Sequence, residues 1–369
     1  MSSIPEAVAA IRRGQMVILV DDEDRENEGD LVMAAELVTP EAINFMAKHA
    51  RGLICLTLTE ERLAALDIPM MVATNTAALG TAFTVSIEAK AGVSTGISAA
   101  DRSHTIRVAM EEATRPSDLA RPGHVFPLRA RRGGVLVRTG QTEGSVDLAR
   151  MAGCKPGGVI CEIMNDDGSM ARRSDLEIFA KQHGLLIVTI AELIEYRLEH
   201  DRLVKRVDSA RIDHPRWGEL TAHVYTTEID NDEHLALIFG KLTGSVLVRV
   251  QSGPGAWFDG IMSNGQALMN GSLDRLAEEG SGIFIGISHG GSGGSLSQAL
   301  LALRGEDALE VSVPLREFGI GAQILRDLEV KSIRLLSNHP RRLPGIGGFG
   351  LELTETVSFT ALEKPKVKA

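Results

Sequence analysis

Seven carboxylic acids crowd into residues 21–30, DDEDRENEGD: Asp21, Asp22, Glu23, Asp24, Glu26, Glu28 and Asp30. Side chains of one sign packed this closely repel one another unless cations or water offset the charge. Arg25 is one cation inside the run, and a divalent metal would be another. Hard oxygen donors of this kind suit Mg²⁺ or Mn²⁺. The same composition also fits a solvated acidic turn. Val17-Ile18-Leu19-Val20 precedes the run and reads as a buried strand, and a second strand-like run follows Gly29, from Leu31 to Leu37. A hairpin built this way carries the acids to a sheet edge, where sites in α/β proteins lie.

Three further clusters have chemical potential. In RPGHVFP, His124 stands between Gly123 and Val125, with Pro122 and Pro127 restricting the backbone around it. This suits a proton-transfer residue, and it suits a structural imidazole as well. The run Arg138-Thr139-Gly140-Gln141-Thr142 leads into an amphipathic helix from about Glu143 to Ala152. A cation, close backbone approach and donors at a strand-to-helix junction are what a phosphate group needs. In the strand GVICEIM, Glu162 lies between Cys161 and Ile163. Facing inward, its carboxyl would be pushed up in pKa and could act as a general acid or base; facing outward, it would be solvated. The loop GVSTGISAADRSHTI (92–106) offers hydroxyls and glycines ahead of a helix, as an anion site or as a plain N-cap at Ser98 or Asp101.

The elements that must position these groups alternate between helix and strand. Ile4–Arg13 reads as a helix closed by Gly14, and Thr39-Pro40 opens another through about Lys48. A strand at 53–58 is followed by a helix capped at Thr59, and Phe83–Ile87 reads as a further strand. Helices at Ser174–His183 and Ile190–Leu198 close the first half. The charged stretch 199–207, EHDRLVKRV, reads as a connection or a helical extension. Beyond it lie strands at Leu220–Thr226, Val246–Val250, Ile283–Ile287 and Ile333–Leu336. The glycine-rich HGGSGGS (289–295) lacks the lysine of a phosphate-binding P-loop and reads as a flexible loop.

The 369 residues suit two domains, with 44% apolar side chains and mean hydropathy near zero. No run approaches a membrane span and no signal pattern opens the chain, so a cytoplasmic protein without a membrane partner is expected. A net charge of −10 gives no footprint for nucleic acid. Three scattered cysteines (Cys55, Cys154, Cys161) make neither a disulfide framework nor a zinc cage.

The motifs DDEDRENEGDLVMAAE, FTVSIEA, GVSTGISAADR and RPGHVFPLRA, with the run from Gly133 to Asp147, resemble 3,4-dihydroxy-2-butanone 4-phosphate synthase in the same order over residues 4–200. The resemblance implies a compact α/β sandwich working as a homodimer with active sites at the subunit interface. The implied reaction takes ribulose 5-phosphate to 3,4-dihydroxy-2-butanone 4-phosphate and formate, with Mg²⁺, for riboflavin synthesis. By motif position, Glu26 is implied as a metal ligand, and Arg25 and Asp30 line the substrate. Arg138, Thr139, Gly140, Gln141 and Thr142 hold the phosphate, while His124 and Glu162 carry catalysis, Glu162 also touching substrate. Gln141 departs from the family, which has a histidine metal ligand there; its amide oxygen is a hard donor able to serve Mg²⁺.

The second half resembles GTP cyclohydrolase II in VRVQS (248–252) and in REFGIGAQILRDLEVKSIRLLSNHP (316–340). That family holds zinc with three cysteines, and here no cysteine follows Cys161. Neither zinc nor cyclohydrolase activity is therefore expected. The expected organisation is a synthase domain at 1–200, a linker at 201–207 and a second α/β domain, cyclohydrolase II-like, at 208–369. The alternative to a catalyst, with Gln141 marking a lost metal ligand, is a binding or scaffolding protein of the same pathway; separately, the second domain could bind a nucleotide or flavin as an effector.

Overall fold

A computed structural model of the chain describes residues 2–22, 25–77, 80–201, 203–227, 232–253, 265–288, 315–337 and 350–358. The glycine-rich loop at 289–295, most of the cysteine-free stretch that follows VRVQS, and the C-terminal tail lie outside the described residues. The chain divides into two compact units, Met1–Tyr196 and Arg197–Ala369.

The first unit is built on a seven-stranded mixed sheet. Its strands are β1 (Val17–Val20), β2 (Gly29–Ala34), β3 (Cys55–Leu58), β4 (Ile87–Ala89), β5 (Leu119–Arg129), β6 (Gly157–Glu162) and β7 (Leu186–Thr189), in the order β4-β5-β3-β6-β2-β1-β7. Around it lie α1 (Ile4–Arg12), α2 (Pro40–Phe45), α3 (Glu60–Ala65), α4 (Ala99–Met110), α5 (Gln141–Met151), α6 (Arg173–His183) and α7 (Ile190–His200). Helix α1 starts where Ser3 and Glu6 cap each other, and the chain leaves it through Gly14 at φ +74°. Thr39 caps α2 and Thr59 caps α3, each accepting from the backbone N–H three residues on. Every residue of β1 and β2 is buried, and the two strands pair antiparallel as a hairpin.

Four readings need correction. The strand expected to Leu37 stops at Ala34, and residues 35–37 form a 3₁₀ turn. Helix α2 ends at Phe45 and gives way to a π-helical turn, Met46–Ala50, closed by Arg51 at φ +72°. The strand near Phe83–Ile87 is really Ile87–Ala89. Phe83 and Thr84 bridge different partners, Leu128 and Met70, so no continuous ladder forms before Ile87. Helix α5 is entered from a 3₁₀ turn at Gly134–Leu136 rather than a strand: Gly133 and Gly134 adopt φ +90° and +65°, and Asp147 takes the Val135 N–H.

The second unit carries its own seven-stranded sheet, β8 (Val204–His214), β9 (Gly218–Thr227), β10 (Glu233–Phe239), β11 (Ser245–Gly253), β12 (Gly282–Ser288), β13 (Ser332–Leu336) and β14 (Glu352–Val357). The order is β14-β13-β11-β12-β10-β9-β8, with helices Gly265–Glu279 and Leu315–Asp327 between strands in sequence. The charged 199–207 stretch is shared between the end of α7 and the start of β8, whose hydrogen bonds to β9 hold it extended. A core of Leu220, Phe239, Leu247, Leu273, Leu276, Phe284 and Leu336 holds this unit. Among the described residues no helix is long and apolar enough to cross a membrane.

Candidate active site

The acidic loop is organised by Asp21. Its side chain is fully buried, with Oδ2 accepting from Arg25 Nη1 at 2.6 Å and from the Glu26 N–H at 3.2 Å, while Oδ1 accepts from the Glu28 N–H at 2.8 Å. One carboxylate thus ties the described residues of the loop together, and at Asp21 the solvated-turn reading does not hold. From the other side Arg172, just ahead of α6, donates to the carbonyls of Glu26 and Asn27. Gly29 leaves room for Leu176 to pack against the strand start.

Arg25 joins this loop to α5. The same Nη1 that meets Asp21 donates to Gln141 Oε1 at 3.0 Å and lies 3.0 Å from a Glu26 carboxylate oxygen. Gly140 is the N-cap of α5 and supplies no side-chain cap to the first-turn N–H groups. A side chain at Gly140 would meet the guanidinium groups of Arg138 and Arg25. Two cations thus converge on an uncapped helix start, the arrangement an anion needs. Arg138 is held there by Glu143, wholly buried, which accepts Arg138 Nη1 at 2.7 Å and the Arg131 N–H at 2.9 Å. Thr142 is buried in the first turn, and Thr139 is exposed beside it.

Asp30 and Glu162 are cross-strand partners in the β2–β6 register. Burial pushes the Asp30 carboxyl well up, and Glu162, Glu26, Glu28 and Asp21 push it further. Burial likewise raises Glu162, against the bond its Oε2 accepts from the Leu53 N–H at 2.9 Å. Glu28 is raised by burial and by Glu26. Glu162 therefore belongs to a half-buried acid group rather than to a solvated face. Cys55 and Cys161 are buried free thiols whose pKa values burial raises, so neither is poised as a nucleophile.

His124 stands apart from this group. Strand β3 lies between β5 and β6, which at ~4.8 Å per strand sets His124 about 10 Å from Glu162. Cys55 is opposite both Phe126 and Ile160; His124, two residues before Phe126, and Glu162, two residues after Ile160 on an antiparallel strand, therefore lie at the same height in the sheet. The ring is half-exposed, and its Nδ1 lies 2.6 Å from Glu88 Oε2. Sequence reasoning did not single out Glu88. The available signal was the one that flagged Glu162, an acid between two apolar residues on a strand, here Ile87 and Ala89. It also missed Asp21 as the hub of its loop and Glu143 as the anchor of Arg138. In the 92–106 loop Ser98 is the N-cap of α4, and Asp101 turns back to accept from Ser94 and Gly96.

The donor set suits a hard cation. Glu26 and the Gln141 amide oxygen border a group of acids whose pKa values are raised first by burial and then by one another, and a divalent ion would favour their charged forms. Among the described residues no three His, Cys, Asp or Glu side chains converge as a cage.

Residues 5–196 match the family profile of 3,4-dihydroxy-2-butanone 4-phosphate synthase, and residues 205–358 match that of GTP cyclohydrolase II. The chain is 50% identical to the riboflavin biosynthesis protein RibBA of Aquifex aeolicus, over 99% of this chain and 94% of that one. It is 47% identical to the 3,4-dihydroxy-2-butanone 4-phosphate synthase of Pseudomonas aeruginosa, over 96% and 98%. The crystal structure of RibBX, a two-domain 3,4-dihydroxy-2-butanone 4-phosphate synthase from A. baumannii, superposes with a TM-score of 0.79 at 43% identity, covering 96% of this chain and 99% of that one. A 3,4-dihydroxy-2-butanone 4-phosphate synthase in complex with two magnesium ions covers 55% of this chain and 99% of its own, with a TM-score of 0.53 and 43% identity.

Proposed function

Because the chain belongs to the 3,4-dihydroxy-2-butanone 4-phosphate synthase family, we propose that it converts D-ribulose 5-phosphate to 3,4-dihydroxy-2-butanone 4-phosphate and formate for riboflavin synthesis. The observation that carries this reading is the joining of an acid cluster to an anion site through one residue, Arg25, which bonds Asp21 on one side and Gln141 at the start of α5 on the other. A phosphorylated ketose needs both: a grip on its phosphate and acids around its oxygens.

In this reading Arg25, Arg138 and the first-turn N–H groups of α5 bind the phosphate, with Thr139, Gly140 and Thr142 beside it. Glu26 and Gln141 would hold Mg²⁺, or Mn²⁺, which when bound acidifies the carbon-bound protons next to the ketone. Asp30 and Glu162 share the proton work. Burial favours the protonated form of each carboxyl, which suits one of the pair to donate while the other accepts. His124 serves a separate proton transfer, since enolisation, loss of water, a carbon shift and loss of formate each move protons. The enzyme is read as a cytoplasmic homodimer with domain limits near 1–200 and 208–369.

We read the second unit as lacking cyclohydrolase activity, because no cysteine follows Cys161 to hold zinc. Relatives spanning both units, such as the P. aeruginosa protein, carry the name of the synthase alone. Formate release from ribulose 5-phosphate by the full chain with Mg²⁺ tests the synthase reading, and none from folded, metal-supplied protein would end it.

A further inference from the structure

We infer that Glu88 is the positioning residue for His124, fixing which of its two nitrogens exchanges protons with substrate; this rests on the reading of His124 as an acid–base group. The pair is asymmetric. The Glu88 side chain is 14% exposed and the imidazole 45%, so the carboxylate sits beneath a ring that projects outward. An ionised carboxylate only accepts hydrogen bonds, so the hydrogen in the 2.6 Å contact belongs to Nδ1. That leaves the lone pair on Nε2, the nitrogen turned away from Glu88.

The surroundings hold this carboxylate in place. Its other oxygen, Oε1, is buried with no hydrogen-bond partner, although a residue serving only the fold would gain by satisfying both. Gly96, at φ +88°, lies directly against the carboxylate, where any Cβ would overlap both oxygens. The loop carrying Gly96 is tied down by Asp101, which accepts from the Ser94 N–H at 3.1 Å, Ser94 Oγ at 2.7 Å and the Gly96 N–H at 3.0 Å. Gly123 in turn lets the backbone of Ile87 and Glu88 pass behind the strand that presents His124. The motif GVSTGISAADR thereby packs Gly96 against the Glu88 carboxylate, whose Oε1 is buried.

The proton transfer balances simply. Nε2 takes a proton from a substrate carbon, the C–H electron pair stays with the substrate, and the ring becomes an imidazolium whose Nδ1–H still points at Glu88. Returning that proton at a later step restores the neutral ring. Glu88 stabilises the charged ring and fixes its orientation.

Nitrogen-15 NMR of the imidazoles in the Mg²⁺-loaded full chain, with H124Q identifying the signal, is expected to show His124 protonated at Nδ1 and bare at Nε2. Glu88→Gln should lower kcat for formate release on the order of 10²-fold, with KM within about threefold of wild type. Glu88→Asp should recover part of the loss, and Glu88→Gln should cost nothing further in an H124Q background. An Nε2-protonated tautomer would overturn the inference. So would a fall in kcat accompanied by a comparable rise in KM and a loss of thermal stability, which marks a fold residue. If H124Q is inactive and E88Q is not, the inference fails while the reading of His124 survives; if H124Q is fully active, both fall.

Discussion

Replacing Asp21 with asparagine removes one charge and one acceptor from the point where the acidic loop closes. The wild-type carboxylate accepts three hydrogen bonds, two at Oδ2 and one at Oδ1, and its side chain has no exposed surface. An asparagine oxygen placed at Oδ2 keeps Arg25 and the Glu26 N–H but points its NH₂ at the Glu28 N–H, donor against donor. A buried donor left unsatisfied costs ~1–3 kcal/mol, and weakening the charge-assisted bond to Arg25 adds to that. We take about 2 kcal/mol in all. For a unit of this size that is a fall in melting temperature of roughly 4–8 °C. The functional consequence follows from the same bonds: Arg25 and Glu26 lose their registration, so Mg²⁺ affinity should drop and KM for ribulose 5-phosphate should rise about tenfold, the equivalent of ~1.4 kcal/mol. Differential scanning fluorimetry and calorimetric Mg²⁺ titration of the purified variant check both. A D21N protein with wild-type melting temperature and metal affinity would refute the claim that Asp21 holds the loop.

Further outcomes follow from the other contacts. Asp30, Glu28 and Glu162 have raised pKa values, so their stabilising contribution sits below the ordinary carboxylate range and is lost as pH rises through the raised values. The gain in melting temperature on adding Mg²⁺ should accordingly be larger at pH 8 than at pH 5, and a flat or reversed dependence would contradict this. Glu162→Gln should abolish formate release yet stabilise the metal-free protein at pH 8 by roughly 1 kcal/mol; chemical denaturation reads the second effect. Gly52→Ala places a methyl against the carbonyl and carboxylate of Glu162, so kcat should fall sharply, and an unchanged kcat would show that Glu162 need not stay put. GTP incubated with the full chain should remain intact by chromatography, with or without zinc, and its consumption would overturn the reading of the second unit.

The sequence made the framework legible wherever local chemistry decides it. Thr39, Thr59 and Ser98 cap helices because their hydroxyls meet backbone N–H groups within three residues. The buried run Val17–Val20 could only be a strand inside a sheet. Elements set by distant partners were harder to read. Val135–Arg138 has strand-like composition, but Asp147 reaches back from α5 and bends it into a 3₁₀ turn. The same division runs through the site. The residues nominated from their types and motifs include Arg25, Glu26 and Gln141, which meet, and Asp30 and Glu162, which pair across strands. Glu88, whose place against His124 depends on β4 pairing with β5, carried only the weak mark of an acid between apolar neighbours.

The central claim is that crowded acids at the start of β2 serve a divalent ion beside a sugar phosphate. Isothermal titration of the full chain with Mg²⁺ in the presence of ribulose 5-phosphate tests it most directly. Saturable uptake that disappears in Glu26→Gln is expected; no uptake by the native chain, or uptake indifferent to that substitution, would contradict a metal role for these acids.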